Sequence, residues 1–274
     1  QKENKTKGGG GDLLWNKFVF KSINQWLNKK GFLIFVHPSG WRKPEGIGVK
    51  SRSKYKGLYP LMTKQNQLVY LNMNNTREGL KIFNCGTRFD FYILKKCKPY
   101  KKTIINDEEN KEFSIDLNHL PFLPNKNIKM ISKILSNSFE NNIKVLRPGG
   151  DPRREYINDD KNEVYKYTMI HSTPLSGVRY KYCSEKRKTD HFGISKIIFG
   201  DSGITKNIVL DKEGIYGCTC HSIGIEIENN IEKIKRALLS DRFKVFIKAC
   251  SWSNYQIDWR LFTYLRKDFW KEFI

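Results

Sequence analysis

From Asp12 onward the apolar residues Trp15, Phe18, Val19, Ile23, Trp26 and Leu27 recur at helical spacing, with Asp12 placed to cap the start of the helix and Gly31 its end. Five consecutive apolar residues follow, Phe32 to Val36, and run into the loop His37-Pro38-Ser39-Gly40-Trp41. A run this short, apolar on both faces and bounded by turn residues, predicts a buried strand of a parallel sheet. Open α/β sheets bind ligands outside the carboxyl ends of their strands, so this loop is a candidate site.

Further along, 58–65 predicts a short helix, 67–73 alternates as a strand and 75–81 predicts another short helix. Phe83 then precedes a tight Asn-Cys-Gly-Thr turn and a strand over 88–95, so 67–96 reads as the end of an α/β sheet closed by a hairpin. The pattern breaks at Lys98-Pro99-Tyr100-Lys101-Lys102, which places the expected domain boundary between 1–102 and 103–274. In the second region short strands are expected at 103–105 and 113–117 and a helix at 127–139. Tyrosine-rich strands are expected at 164–170, 178–182 and 196–199, and two or three more in the glycine-punctuated stretch 199–227. Helices at 232–239 and 243–249 and a closing helix at 259–273 complete an α+β region without internal repeats.

The chain has 274 residues, enough for one large or two modest domains. Its 50 Lys and Arg against 28 Asp and Glu leave a net charge of +22, a field that favours a polyanion, of which nucleic acid is the commonest. Six scattered cysteines and no secretory leader point to a reduced, cytoplasmic setting rather than a disulfide framework. No apolar run approaches the roughly 20 residues that span a bilayer, so no membrane partner is expected.

The basic loop that follows the first strand carries Arg42, Lys43, Lys50, Arg52 and Lys54 among glycines and serines. It suits either a solvated loop or one that orders on phosphates by displacing counterions. Cys218-x-Cys220-His221, with Cys183 further off, lacks the paired spacing of a zinc site, and neighbouring strand residues point to opposite faces. Glu226, Glu228 and Glu232 have no companion aspartate and lysine in a convincing strand context, so a solvated edge is the better reading than a nuclease metal site, and no metal is expected.

The succession QKENKTKGGGGDLLWNKFVFKSINQWLNKKGFLIFVHPSGW resembles the N6-adenine DNA methyltransferases of restriction-modification systems in the TaqI-type arrangement, in the passage just after their catalytic Asn-Pro-Pro-Tyr. FNCGTRFDFYILKK resembles the family's last sheet motif, and EGIYGCTCHSIGIEIENNIEKIKRALLSDRF the recurring tail of sequence-specificity domains. The resemblance implies a partial Rossmann-like methyltransferase sheet over 1–102 and a DNA target-recognition domain over 103–274. Neither the glycine-rich cofactor loop nor Asn-Pro-Pro-Tyr occurs in these residues, so it also implies that both precede Gln1, and that S-adenosylmethionine binds largely outside this chain.

It further implies methyl transfer to an adenine flipped out of double-stranded DNA. Such a base needs an aromatic face to replace its lost stacking. Phe83, with Phe89 as second choice, matches the stacking position, and His37, Pro38, Ser39 and Trp41 would line the pocket. Arg147, Arg153, Arg154, Arg179, Lys181, Lys186, Arg187 and Lys188 would meet the DNA, arginines reading base edges and lysines holding phosphates. Arg179 and Lys181 interleave with Tyr180 and Tyr182 at strand spacing, giving one basic and one aromatic face. The alternatives are a non-catalytic DNA-binding specificity subunit working with a separate catalytic partner, and a fused restriction endonuclease and methylase.

Overall fold

A computed structural model of the chain describes residues 14–47, 55–136, 138–146, 149–252 and 256–274. The chain falls into two compact units, Gln1–Glu45 with Val49–Ile128 and Gly46–Gly48 with Lys129–Ile274.

The first unit is organised on a sheet of five strands, β1 (Phe32–Pro38), β2 (Gln67–Asn74), β3 (Phe89–Lys95), β4 (Thr103–Asn106) and β5 (Glu112–Ile115), in the order β1-β3-β2-β4-β5. β3 is antiparallel to both β1 and β2, which therefore run parallel to each other on either side of it, while β2 pairs β4 in parallel. The expected boundary at 102 thus falls inside a sheet, because 103–106 and 112–115 add two strands to it. Helix α1 (Leu14–Lys21) runs into a π-turn at Ser22–Trp26, where Leu27 N donates to Ser22 O at 2.8 Å, and it buries Val19 and Ile23. The positive φ that ends this passage belongs to Lys30, at 66°, rather than to Gly31.

β1 departs from its expected environment. It pairs only with β3 among the described residues and forms one edge of the sheet. Its side chains alternate rather than being buried on both sides. Leu33 and Phe35 pack on the core, whereas Phe32, Ile34 and Val36 are 58%, 58% and 51% exposed. An unbroken apolar run matches a strand covered on both faces, and here one of those faces lies open. The register carries this outward row across the sheet as Ile34, Ile93, Tyr70 and Ile104, and the inward row as Phe35, Tyr92, Leu71 and Ile105. Only the inward row joins the core of Trp41, Leu58, Met62, Leu94, Leu120 and Leu123.

Short helix α2 (Leu58–Pro60) continues as a π-turn at Leu61–Gln65. Helix α3 (Thr76–Phe83) is capped by Asn75, whose Oδ1 accepts from Arg77 N at 2.9 Å and Glu78 N at 3.1 Å. Asn84 ends it in the left-handed region, and the 85–87 turn folds back so closely that a Cβ on Gly79 would lie 2.0 Å from Thr87 O.

In the second unit, helix α4 (Ile128–Ile134) is shorter than the expected 127–139. One sheet runs β11-β10-β13-β6 from β6 (Val145–Leu146), β10 (Lys196–Gly200), β11 (Val209–Asp211) and β13 (Ser222–Glu226). The other runs β12-β8-β9-β7 from β7 (Ile157–Asn158), β8 (Tyr167–Ser172), β9 (Arg179–Cys183) and β12 (Gly217–Cys218). β10 and β11 hold a fully buried ion pair, Lys196 Nζ to Asp211 Oδ2 at 2.6 Å, and the Asp211 carboxylate also accepts from Ile215 N and Tyr216 N. Helices α5 (Ile231–Leu239) and α6 (Asp241–Ala249) fall where expected.

The closing helix is replaced by two 3-10 turns, Trp259–Tyr264 and Phe269–Glu272. Between them Leu265 is extended and bridges to Leu135, and Arg266 bridges to Asn142. These turns still bring Phe262, Phe269 and Phe273 around Phe243, at centroid distances from 4.8 to 6.4 Å, without the helix that the sequence pattern predicts.

Candidate nucleic-acid interface

The carboxyl ends of β1 and β2 meet the start of β3 in one row, with Pro38 opposite Phe89 and Phe89 opposite Asn74. At this end α3 delivers Phe83, half exposed, edge-on to Phe89 at 5.0 Å and 87°. Phe89 is buried and braces the ring of Phe83, which leaves Phe83 as the aromatic surface there.

The other residues predicted for the pocket have turned inward. His37 stacks on Trp15 at 4.3 Å, donates from Nδ1 to Pro38 O at 3.0 Å and therefore accepts at Nε2 from Tyr92 OH at 3.2 Å. Burial pushes its imidazole below the ordinary value, and burial raises the Tyr92 phenol, so both stay neutral. Ser39 and Trp41 are buried, and Pro38 is half-buried. Trp41 Nε1 donates to Asp90 Oδ2 at 2.6 Å, and the same oxygen accepts from Arg42 Nε at 2.9 Å. Arg42 also donates to the carbonyls of Leu123 and Pro124, both at 3.3 Å. It is fully buried, so it ties the loop after β1 to the sheet and to 123–124 instead of meeting phosphate.

Asp90 is the residue that sequence reading missed. Its signal was present: an aspartate inside the apolar stretch FDFYIL, in register with His37, must find a cation or donor if buried. Lys43 is half-buried, while Lys50, Arg52, Lys54 and Arg147 lie outside the described residues.

On the second unit, Arg153, Arg154, Arg179, Lys186, Arg187 and Lys188 are exposed and Lys181 is half-buried. Several carry a carboxylate partner: Arg153 holds Asp151 at 2.7 Å, Lys181 holds Asp159, and Arg187 holds Glu185. Arg187 also has a built platform. Its guanidinium lies 3.5 Å over the Tyr156 ring, whose hydroxyl donates to Asp190, and Asp190 accepts from Gly150 N at 2.9 Å. Burial first, and then Asp190, push the Tyr156 phenol up to about 12. A side chain at Gly150 would meet the Tyr156 hydroxyl at 2.1 Å, so this position requires glycine. A guanidinium fixed on a ring keeps its planar fork oriented, the condition for bidentate recognition. Lys186 lies over Tyr167 and Phe192 at 5.1 and 5.7 Å.

The cysteines do not converge. Burial pushes the thiols of Cys183 and Cys218 up to about 11, and among the described residues no group of three or more His, Cys, Asp or Glu is placed to hold a metal. No described helix is long and apolar enough to cross a membrane.

No family model matches the chain, and no curated protein does. Among solved structures, the chain is similar to a chain of a type I restriction-modification system described for its complex assembly and conformational transition, at 14% identity and a TM-score of 0.27 over 41% of this chain and 23% of that one. It is also similar to the type IIL restriction-modification enzyme MmeI in complex with DNA, at 11% identity and a TM-score of 0.47 over 90% of this chain and 40% of that one. The chain therefore spans less than half the length of either.

Proposed function

We propose that this chain is the carboxyl portion of a site-specific DNA adenine-N6 methyltransferase of a restriction-modification system. In this reading the first unit contributes the latter strands of the catalytic sheet, and the second recognises double-stranded DNA. The observation that carries it is the state of β1: a regular strand whose outer edge has no partner among the described residues and whose outward row is apolar, set next to an antiparallel β3 that separates it from β2, which runs parallel to it. Soluble proteins guard their sheet edges with charges, prolines or short strands. β5, the opposite edge, is guarded in this way, being four residues long with Glu112 exposed. β1 is seven residues long, its first five residues carry no charge, and its one proline, Pro38, stands at its end. Such an edge fits a strand that pairs with further polypeptide, and the sequence resemblance puts the strand ending in Asn-Pro-Pro-Tyr there.

In this reading S-adenosylmethionine binds largely outside this chain. The loop after β1 is packed shut by Trp41 and Asp90, and a Cβ on Gly40 would lie 2.5 Å from the Tyr55 ring. In this reading the catalytic loop likewise falls to the completing polypeptide. What this chain offers is Phe83, an exposed ring for an extruded base, and an arginine-bearing surface with a net positive chain behind it.

The test joins the chain to the coding sequence that precedes Gln1 and assays adenine methylation of duplex DNA. Methyl transfer by the joined protein, with salt-dependent DNA binding but poor cofactor binding by 1–274 alone, is the expected outcome. Tight cofactor binding by 1–274 alone contradicts the reading. An upstream sequence without Asn-Pro-Pro-Tyr that restores no transfer leaves the specificity-subunit alternative in its place.

A further inference from the structure

β8 contains an irregularity: Ile170 pairs Tyr180 and Ser172 pairs Arg179, which leaves His171 as the extra residue of a bulge. Bulges re-aim side chains, and this one brings His171 against the segment after β12. Its Nδ1 lies 3.1 Å from Thr219 Oγ1, and its ring meets that of His221 edge to face at 5.1 Å. On its far side His221 Nδ1 stands 3.5 Å from Asp201 Oδ2, which also accepts from Gln256 Nε2 at 3.0 Å. The turn at 149–151 is pressed onto the same segment: Gly150 bridges to Thr219, and Cys220 N donates to Gly150 O at 3.0 Å. That turn carries Asp151 with its partner Arg153, close enough for both to act on the Cys220 thiol.

The charged groups that act on His171 are His221, Lys181, Asp159 and Arg179. With the groups beside His221 and Cys220 included, the cations Arg153, Arg179 and Lys181 stand against the carboxylates Asp151, Asp159 and Asp201. These cancel. The charge of this patch is then decided by its two imidazoles, the side chains that ordinarily change charge between about pH 5 and 8. Two imidazolium rings in contact repel each other, and an anion that lies against both of them relieves the repulsion. Burial and the neighbouring His221 both disfavour the charged form of His171 in the free protein, so an anion that restores it draws in a proton.

We propose that the His171–His221 pair is a proton-gated contact for a phosphodiester group of bound DNA, in which binding and protonation occur together. It rests on the DNA-binding reading and adds to it a contact and a pH dependence that the basic residues do not supply.

The experiment measures the affinity of the full chain for a short DNA duplex at fixed ionic strength from about pH 8 to about pH 5.5, with His171→Gln/His221→Gln as comparison and thermal melts to verify its fold. The native chain is expected to gain about tenfold in affinity over that span, and the variant to bind equally at the alkaline end but gain little on acidification, since one phosphate contact is lost. The same pH dependence in both proteins overturns the proposal. If no duplex binds at any pH, the DNA-binding reading fails, and the histidine ring NMR signals, titrated with and without inorganic phosphate, decide the anion site separately. Upward-shifted titration of both rings with phosphate supports the site, with free phosphate as its source. Identical titration curves overturn it.

Discussion

The two units solve the problem of apolar surface in opposite ways. In the second, the aromatic residues of α6 and the two closing turns pack on one another, with Phe243, Phe246, Phe262 and Phe269 fully buried, and its exposed apolar side chains are scattered along the chain. In the first, exposed Phe32, Ile34 and Val36 form a continuous row on a strand that has one partner among the described residues, while Leu80, Ile82 and Phe83 add more on α3. A contiguous exposed patch marks an interaction surface, whereas single exposed apolar residues are ordinary. The difference teaches that the second unit covers its aromatic residues with one another, whereas among the described residues the first leaves an apolar row exposed, the surface that the proposed completion of its sheet would use.

The comparison breaks most sharply at Phe243. Phe243→Ala removes a fully buried ring from the aromatic cluster and is expected to destabilise the second unit by about 3–5 kcal/mol. Denaturant melts followed by Trp fluorescence should show one transition shifted and the first unit's retained. Ile34→Lys probes the opposite case. On a row this exposed it should change stability by no more than about 0.5 kcal/mol, yet a lysine buried at a completed sheet should cut methyl transfer by the joined protein by about 100-fold. Loss of transfer without loss of melting temperature is the decisive pattern.

Phe83→Ala should leave the fold intact and reduce transfer by roughly 10- to 100-fold, since base–aromatic stacking contributes about 1–3 kcal/mol. Equal activity of the variant would remove Phe83 from the site. The smallest effect is in pH. Burial holds His37 below its ordinary value in the folded state, so below about 6.5 the unfolded chain takes up a proton that the folded one does not. The first unit's stability is complete above that pH and falls by up to about 1.4 kcal/mol per unit as pH drops, until the depressed folded value is reached. Melts of the native chain and of His37→Gln, compared by slope against pH, measure it.

Much of this was legible in the sequence. The alternation of 67–73 and the apolar run of 32–36 fixed β1 and β2 to within a few residues, and the Asn-Cys-Gly-Thr turn after Phe83 formed as expected. The errors have physical causes. An apolar run states that both faces of β1 suit burial, but whether they are buried depends on neighbours, which periodicity along one strand does not record. Arg42 was read with the basic loop around it because its partner Asp90 stands 48 residues away. The closing helix failed because 3-10 turns separated by an extended Leu265 place aromatic residues inward at nearly helical spacing. The His171 bulge had no sequence signal, since register slips are set by the partner strand.

The most direct test is hydrogen exchange at β1. The amides of Phe32 to Val36 that point away from β3 should exchange freely in the chain alone and become strongly protected when the chain is joined to the polypeptide encoded before Gln1. Protection already present in the isolated monomer, or exchange unchanged in the joined protein, would contradict the account that this strand waits for a partner.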